Sequence, residues 1–222
     1  MRELSRYTIV TGHYGSGKTN LAVNLAVDFA QRGERVTIVD LDIVNPYFRT
    51  ADFKKLFDEL GIRLIAPPYA NSNLDLPVLS AEVFSVFADD ASRVIFDVGG
   101  DDAGAVALGM YRFHFSQVNY DLLYVINRYR YLTRTPDEAC ELLAEIEAAS
   151  RLKATGIANC SNLARETSAE DILASATFAQ QVSNALGLPL VCTAVKKSLV
   201  PELSDQVQHC YPVDIYVKTN WD

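Results

Sequence analysis

The sequence lacks the features that would place it in a membrane or outside the cell. No run of about 18 apolar residues, enough to span a bilayer, occurs in its 222 residues. The opening stretch, MRELSRYTIV, is too short and too polar before its first apolar segment to be a signal peptide. We therefore expect a cytoplasmic protein.

Cysteine is scarce, and its spacing excludes the usual cysteine-based sites. The four cysteines, at positions 140, 160, 192 and 210, lie 20, 32 and 18 positions apart. No pair has the close spacing that a zinc site or a redox dithiol shows. We expect buried free thiols, which pack as small apolar residues.

Positive charge is also in short supply. The chain has 20 Lys and Arg against 28 Asp and Glu, a net charge of -8, and an isoelectric point near 4.9. This balance disfavours attachment to nucleic acid or to anionic lipid. The C-terminal stretch HCYPVDIYVKTNWD also lacks a basic amphipathic helix. We expect no nucleic-acid partner and no membrane partner.

The chain has enough apolar content for one large core, with 49% hydrophobic residues. No repeat, low-complexity segment or linker marks a boundary, so we predict a single domain over residues 1–222. Short apolar runs alternate with helical patterns, which is typical of a parallel sheet covered on both faces. The predicted strands are 7–11, 35–40, 62–66, 93–98, 121–127, 154–159, 189–195 and, as an eighth, 213–217.

The helices between these strands have readable starts. Apolar residues repeat every fourth position from Thr19 to Gln31, which predicts a helix packed on the sheet. Thr135 with Glu138, and Thr167 with Glu170, have the spacing of a capping box at the start of two further helices.

The stretch YTIVTGHYGSGKTNLAVNLA, residues 7–26, carries the strongest functional signal. It fits the pattern G-x-x-x-x-G-K-[ST] directly after a strand and at the start of a helix. Glycines let successive backbone N–H groups turn toward phosphate oxygens, and the helix N-terminus adds partial positive charge. We expect Lys18 to reach the β- and γ-phosphates of a nucleotide and the Thr19 hydroxyl to bind Mg²⁺. The positions expected to contact nucleotide here are Gly12, His13, Tyr14, Gly15, Ser16, Gly17, Lys18, Thr19 and Asn20.

The chain resembles the MinD/ParA branch of P-loop proteins, the CobQ/CobB/MinD/ParA nucleotide-binding family, which also holds nitrogenase iron protein, dethiobiotin synthetase and the cobyrinate amidases. The resemblance is densest in GSGKTNLAVNLAVDFAQRGERVTIVDLDIVNP. It implies an α/β fold: a three-layer P-loop NTPase with a mostly parallel sheet of about seven to eight strands and helices on both faces. It also implies that the cofactors are ATP and Mg²⁺.

The phosphate loop departs from this family at one position. Members usually read K-G-G-x-G-K-[ST], and their first lysine reaches across a dimer to the partner's nucleotide; here His13 occupies that position. A histidine is mostly neutral near pH 7, so it cannot supply a permanent positive charge to the γ-phosphate. Arg49, after the D-x-D motif, is a candidate replacement cation, and simple solvent exposure is the alternative.

Carboxylates follow two of the predicted strands. Asp40 and Asp42 lie at the edge where open parallel sheets place their ligands. The resemblance implies that both help to position Mg²⁺ and the attacking water, as catalytic residues beside Lys18. Asp97 ends the run RVIFDV, the Walker B arrangement, so Mg²⁺ is expected at Thr19, Asp40 and Asp97. Gly100 resembles the family's switch glycine, whose backbone N–H meets the γ-phosphate.

The base of the nucleotide is expected near the ends of later strands. Asn159 resembles the family's asparagine at the adenine edge, because an amide offers both a donor and an acceptor; a local turn is the alternative. Asn127 is a weaker second candidate. Lys196 and Lys197, in a segment that resembles the loop over the base, are either flanking residues or exposed lysines. No cysteine occurs between residues 1 and 139, so we expect no iron–sulfur cluster.

Three functions remain open. The first is a Mg²⁺-dependent ATPase that acts as a nucleotide-controlled switch, as a homodimer, on a soluble protein partner. The second is an ATP-dependent ligase or amidase like dethiobiotin synthetase, for which YANSNLDLP, residues 69–77, is the polar loop long enough to hold a carboxylate substrate. The third is a module that binds ATP without hydrolysing it, which His13 suggests.

Overall fold

The computed structural model describes the chain with short gaps, and all structural statements concern the described residues. These are residues 1–42, 50–66, 81–100, 102–163 and 166–217.

A single eight-stranded sheet forms the centre of the molecule. The strands, numbered in chain order, are β1 (Tyr7–Gly12), β2 (Val36–Leu41), β3 (Arg63–Ile65), β4 (Arg93–Val98), β5 (Tyr120–Ile126), β6 (Gly156–Asn159), β7 (Leu190–Lys196) and β8 (Cys210–Val213). Their order is β3-β2-β4-β1-β5-β6-β7-β8, and every pairing is parallel. The predicted fold class is confirmed.

Helices connect the strands and cover both faces of the sheet. They are α1 (Lys18–Gln31), α2 (Lys54–Leu60), α3 (Ala81–Ala88), α4 (Asp102–Gly109), α5 (Arg112–Phe115), α6 (Pro136–Ser150), α7 (Ala169–Leu186) and α8 (Val200–Leu203), with 3-10 turns at Thr50–Phe53 and Lys197–Leu199. Along the described residues, no helix is long and apolar enough to cross a membrane.

The core is divided by the sheet because successive strand residues point to opposite faces. In β1, Ile9 packs with α3 to α7 on one face, while Val10 packs with α1 and α2 on the other. In β4, Phe96 and Ile95 divide in the same way. The central strands are therefore apolar on both sides, and the polar groups of the site gather at their carboxyl ends.

The capping prediction is confirmed for one helix and wrong by one residue for the other. Thr135 and Glu138 form the capping box of α6. In α7 the box is formed by Ser168 and Asp171, and the helix begins at Ala169. The predicted cap, Thr167, instead accepts a hydrogen bond from the Leu163 amide at 2.8 Å. The stretch TSAED contains two overlapping boxes, and the bond of the Leu163 amide to Thr167 decides between them.

The last strand also lies earlier than predicted. The sequence pattern favours 213–217, but β8 spans Cys210–Val213 and includes Pro212. Proline is tolerated there because β8 is an edge strand, with no neighbour beyond it among the described strands. The residues after it, 214–217, run along α1 and form part of the site.

The cysteines are all free, as expected. Cys160 and Cys192 are buried, while Cys140 and Cys210 are only half-buried.

Candidate functional site

The phosphate loop leaves β1 at the centre of the sheet and turns into α1. Three of its glycines have positive φ angles: 150° at Gly12, 70° at Gly15 and 103° at Gly17. A Cβ at residue 12 would lie 2.3 Å from the Val125 carbonyl oxygen, so only glycine fits. These backbone conformations turn the chain sharply enough to face its amides inward, the arrangement that binds phosphate.

Lys18 is placed at the mouth of this loop. Its side chain is 6% exposed, and its Nζ donates to the His13 carbonyl at 3.0 Å. Because an ammonium with several donors can bond phosphate and the loop backbone together, this position suits the role predicted for Lys18.

His13 is a poor source of positive charge in this setting. Burial lowers the pKa of its imidazole, and the nearby Lys18 ammonium lowers it further. The predominantly neutral form expected from the ordinary histidine pKa is therefore reinforced by the fold.

Asp97 is a buried carboxylate at the end of β4. Its side chain is 1% exposed, and burial raises its pKa, against the lowering effects of Thr50, Lys18 and Thr19. The Thr50 hydroxyl donates to Oδ2 at 2.5 Å, whereas Oδ1 has no hydrogen-bond partner among the described atoms. A buried anionic oxygen without a partner fits a hydrated cation that arrives with the nucleotide.

Asp40 and Asp42 reach this region from the neighbouring strand. Asp40 pairs in register with Asp97 across β2 and β4, and its Oδ1 accepts from the Asp42 amide at 3.0 Å. Asp42 lies just beyond β2 and lines the cleft, but Asp40 does not.

The described residues contain no cluster of three or more His, Cys, Asp or Glu side chains that could enclose a metal. Mg²⁺ does not require such a cage, because it commonly takes phosphate oxygens and waters with one or two protein ligands. Thr19, Asp40 and Asp97 therefore fit a Mg²⁺ ion bound together with a nucleotide.

Gly100 touches the phosphate loop. A Cβ at this position would lie 2.5 Å from the Tyr14 amide nitrogen and 2.6 Å from the Lys18 Nζ. The segment after β4 thus lies against the two groups expected to hold a terminal phosphate.

A cleft of about 250 Å³ extends from the phosphate loop toward β6 and β8. Its far end is mainly apolar, with Ile172, Ala194, Val213, Ile215 and Val217. Asp42 is the sole carboxylate among its described lining residues. An apolar slot with few polar groups is suited to an aromatic base.

Asn162, and not Asn159, lines this cleft. Asn159 is fully buried: its amide nitrogen donates to the Ser175 hydroxyl at 2.9 Å and its oxygen accepts from the Ser161 amide at 3.1 Å. We therefore correct the sequence-based assignment of Asn159 as the base contact. Asn162, three residues later, is the asparagine that lines the cleft. The motif NCSN offers both candidates, and only the turn after β6 distinguishes them.

The segment 214–217 closes the cleft, and asparagines of α1 hold it. Asn20 and Asn24 both donate to the Asp214 carbonyl, at 3.0 and 2.9 Å. The Asn24 oxygen accepts from the Asp214 amide, and the Asn20 oxygen from the amides of Tyr216 and Val217. We call residues 214–217 the C-terminal strap. Asn20 thus lines the cleft and also holds the C-terminal strap, which forms one wall of it.

The two lysines at the end of β7 differ in their surroundings. Lys196 lines the cleft, whereas Lys197 pairs with Asp214 of the strap. Asn127, the second candidate for the base, is 1% exposed and donates to the Asn162 carbonyl at 3.4 Å. Arg49 and the loop 69–77 lie outside the described residues.

Sequence reasoning missed two residues of the site. Thr50 binds Asp97, and no motif marks it. Arg130 lines the cleft, and its Nε donates to the Gly15 carbonyl at 2.9 Å. The arginine-rich stretch NRYRYLTR after β5 was the available signal, because β5 adjoins β1 in the sheet.

Comparison with solved structures gives the same architecture. The chain aligns with the cell division protein FtsY of Thermotoga maritima with a TM-score of 0.61 and 18% identity, covering 88% of this chain and 63% of that one. For the 54 kDa signal recognition particle protein of Aeropyrum pernix in complex with GDP, the values are 0.58 and 17%, with 87% and 42% covered. At these identities the likeness shows the fold alone.

Sequence comparison identifies the family as well as the fold. The tyrosine-protein kinase YwqD of Bacillus subtilis is 40% identical over 52 residues, which is 23% of this chain and 22% of the kinase. The chain spans about a fifth of that relative's length. The model of the CobQ/CobB/MinD/ParA nucleotide-binding domain matches residues 7–177, from β1 into α7. The match includes the phosphate loop, the carboxylates of the site and part of the cleft. The chain belongs to the CobQ/CobB/MinD/ParA nucleotide-binding family.

Proposed function

We propose that the protein is a Mg²⁺-dependent ATPase that acts as a nucleotide-controlled switch. The observation that carries this proposal is the contact of Gly100 with Tyr14 and Lys18, where a Cβ would be 2.5 Å from one and 2.6 Å from the other. A third phosphate bound by Lys18 must contact the segment after β4 or displace it. ATP and ADP would then favour different arrangements of this segment.

The hydrolytic part of the proposal rests on the carboxylates. Asp97 has a buried oxygen without a described partner, suited to hold a water of the Mg²⁺ shell. Asp42 lines the cleft and is suited to orient the water that attacks the γ-phosphate. Lys18 supplies positive charge to the phosphates. When bound, Mg²⁺ would bridge phosphate oxygens and withdraw charge from them.

The choice of adenine over guanine rests on the base end of the cleft. Guanine presents two adjacent N–H donors, which a carboxylate accepts well, but no acidic residue stands among the described residues at that end. Asn162 offers an amide, which can both donate and accept, as the adenine edge requires. Two related folds of known structure carry GDP, so GTP is the competitor to test.

Two partners are proposed for the switch: a second copy of the chain, with which it forms a homodimer, and a soluble protein on which the dimer acts. Exposed apolar residues follow the proposed switch: Val106, Met110 and Phe113 are 56%, 59% and 70% exposed. An apolar surface next to a moving segment is suited to partner contacts that depend on the nucleotide.

Phosphate release at steady state tests the ATPase. The wild-type protein with ATP and Mg²⁺ should release phosphate above background, and Lys18→Ala should not. Lys54→Ala is the matched control, because Lys54 is exposed and, among the described residues, forms its ion pair with Asp58 on the surface of α2. Equal, background-level rates for wild type and Lys18→Ala would defeat the ATPase proposal. Faster release with GTP than with ATP would overturn the base assignment.

A non-hydrolysing nucleotide-binding module is the second candidate, and His13 favours it. Its imidazole is neutral at pH 7, so the position that usually carries a lysine in this family contributes no charge. Tight nucleotide binding with no phosphate release in the same assay would select this function.

A further inference from the structure

We propose that Arg130 binds the nucleotide phosphates from within the same chain and supplies the positive charge that His13 does not. This inference rests on the proposed nucleotide-binding function of the cleft. It assigns a phosphate-binding role to a residue outside the phosphate loop.

The first support is the position of the guanidinium. Arg130 Nε donates to the Gly15 carbonyl at 2.9 Å, and Arg130 lines the cleft together with Lys18 and Thr19. Gly15 lies between His13, at the position of the family's first lysine, and Lys18 at the phosphate-binding end of the loop. A guanidinium has five N–H donors in a plane, and this bond uses one of them.

The second support is the rigidity of the turn that carries Arg130. Its amide donates to the Asn127 carbonyl at 3.1 Å, and the Thr133 hydroxyl donates to the same carbonyl at 2.7 Å. Asn127 and Thr133 are buried, at 1% and 0% exposure. Leu132 between them has a φ of 64°, a strained conformation for leucine. The backbone of the turn is therefore held by internal contacts, which place Arg130 beside the loop before nucleotide binds, and the exposed side chain is held there by its bond to Gly15.

The third support is the charge balance. No carboxylate among the described residues forms an ion pair with Arg130, whereas Arg2, Arg6, Arg32, Arg63 and Arg93 each have one. Asp42 lines the same cleft, its amide donates to Asp40, and Asp40 pairs in register with Asp97. A bound triphosphate therefore adds negative charge to a region that already has three acids. A second cation beside Lys18 offsets this charge.

Titration with MgATP by isothermal calorimetry tests the assignment, using Arg130→Gln, Arg130→Lys and Lys18→Ala. We expect Arg130→Gln to weaken MgATP binding about tenfold or more, the effect of one lost charge-assisted hydrogen bond. Arg130→Lys should recover part of the affinity because it keeps the charge. Arg134→Gln is the matched control: Arg134 lies four residues on and packs over Tyr131 at 5.9 Å, without a described contact to the phosphate loop.

Ionic strength provides a readout that a purely structural role would not change. Wild-type affinity should fall more steeply with salt than that of Arg130→Gln, because the variant has lost one charge facing the phosphates. Parallel salt curves, or Arg130→Gln affinity equal to that of Arg134→Gln, would overturn the inference while leaving the proposed function intact. Absence of MgATP binding by the wild type would overturn both.

Discussion

At the scale of single residues, Asp97 shows the conflict between stability and chemistry. Its carboxylate is buried, its pKa is raised by that burial, and one oxygen has no described partner. A raised pKa in the folded state means that the ionised form opposes folding above the ordinary carboxyl pKa. The same buried carboxylate charge that destabilises the nucleotide-free protein would bind a hydrated metal ion when the nucleotide is present.

We therefore expect Asp97→Asn to stabilise the nucleotide-free protein and to abolish Mg²⁺-dependent phosphate release. An amide keeps the shape and can still accept from Thr50, but it removes the buried charge. The gain should be on the order of 1 kcal/mol, or roughly 2–4 °C in melting temperature for a chain of this size. Thermal unfolding at pH 7 measures it. A lower melting temperature for the variant would show that the charge is already compensated in the folded protein.

Gly100 is the second residue with a testable role, as the proposed switch glycine. We expect Gly100→Ala to remove the difference between the ATP-bound and ADP-bound states, because its methyl group would meet the Tyr14 amide nitrogen at 2.5 Å. Hydrogen exchange of the segment after β4, with each nucleotide, measures this difference. Gly33→Ala, after α1 and outside the site, is the control for a general loss of stability: nothing lies within 4 Å of an added Cβ there, but its φ of 82° strains an alanine. Retained nucleotide-dependent exchange in Gly100→Ala would contradict the switch role.

At the scale of elements, the C-terminal strap connects the two ends of the site. Asn20 and Asn24, on consecutive turns of α1, bind its backbone, and Ile215 and Val217 line the base end of the cleft. The helix that begins with the residues proposed to bind phosphate thus also holds the wall against which the base would pack.

We expect Asn24→Ala to weaken nucleotide binding by about three- to tenfold, although Asn24 does not line the cleft. The change removes the hydrogen bonds to the amide and carbonyl of Asp214, each of ordinary strength. Calorimetric titration with ADP measures the loss. Asn184→Ala on the exposed side of α7, where the Asn184 side chain accepts from Gln180, should leave affinity unchanged. Unchanged affinity in Asn24→Ala would mean that other contacts hold the strap.

The elements also show what the sequence could and could not predict. Helix α1, strand β4 and the capping box of α6 follow from local patterns, because periodicity and Thr135 with Glu138 act within one segment. The cap of α7, the eighth strand and the base asparagine were misplaced by one to three residues. The cap of α7 is decided locally, by the bond of the Leu163 amide to Thr167 four residues later. The other two are decided by long-range contacts, of Asn20 with residues 214–217 and of Asn159 with Ser175. Arg130 and Thr50 were missed for the same reason.

At the scale of the whole molecule, the N-terminus is tied to the middle of the sheet. Asp121 in β5 accepts from the Arg2 guanidinium and from the Ser5 amide, at 2.5 and 2.6 Å. Burial alone would raise its pKa, but these bonds and that of Thr155 outweigh the burial and lower it to about 2. The first residues of the chain are thus joined to the strand beside β1.

The pKa of Asp121 predicts a definite acid response. Because the folded value of about 2 lies below the ordinary 3.8, its stabilising effect is complete above about pH 4 and is lost as the pH falls through 2. We expect Asp121→Asn to lower the free energy of unfolding at pH 7 by about 1–2 kcal/mol, and less as the pH approaches 2. Denaturant unfolding between pH 7 and 2.5 measures it. Asp90→Asn, an exposed partner of Arg6, is the control; a difference from wild type that is constant with pH would contradict the assignment.

The central claim is that the loop from Gly12 to Thr19, closed by Lys18, binds a magnesium nucleotide. Isothermal calorimetry with ATP tests it most directly, on the wild type and Lys18→Ala, each with Mg²⁺ and with a chelator. We expect saturable heat for the wild type with Mg²⁺, and weak or no heat for Lys18→Ala or with the chelator. Equal heats in all four titrations, or none in the wild type with Mg²⁺, would contradict it.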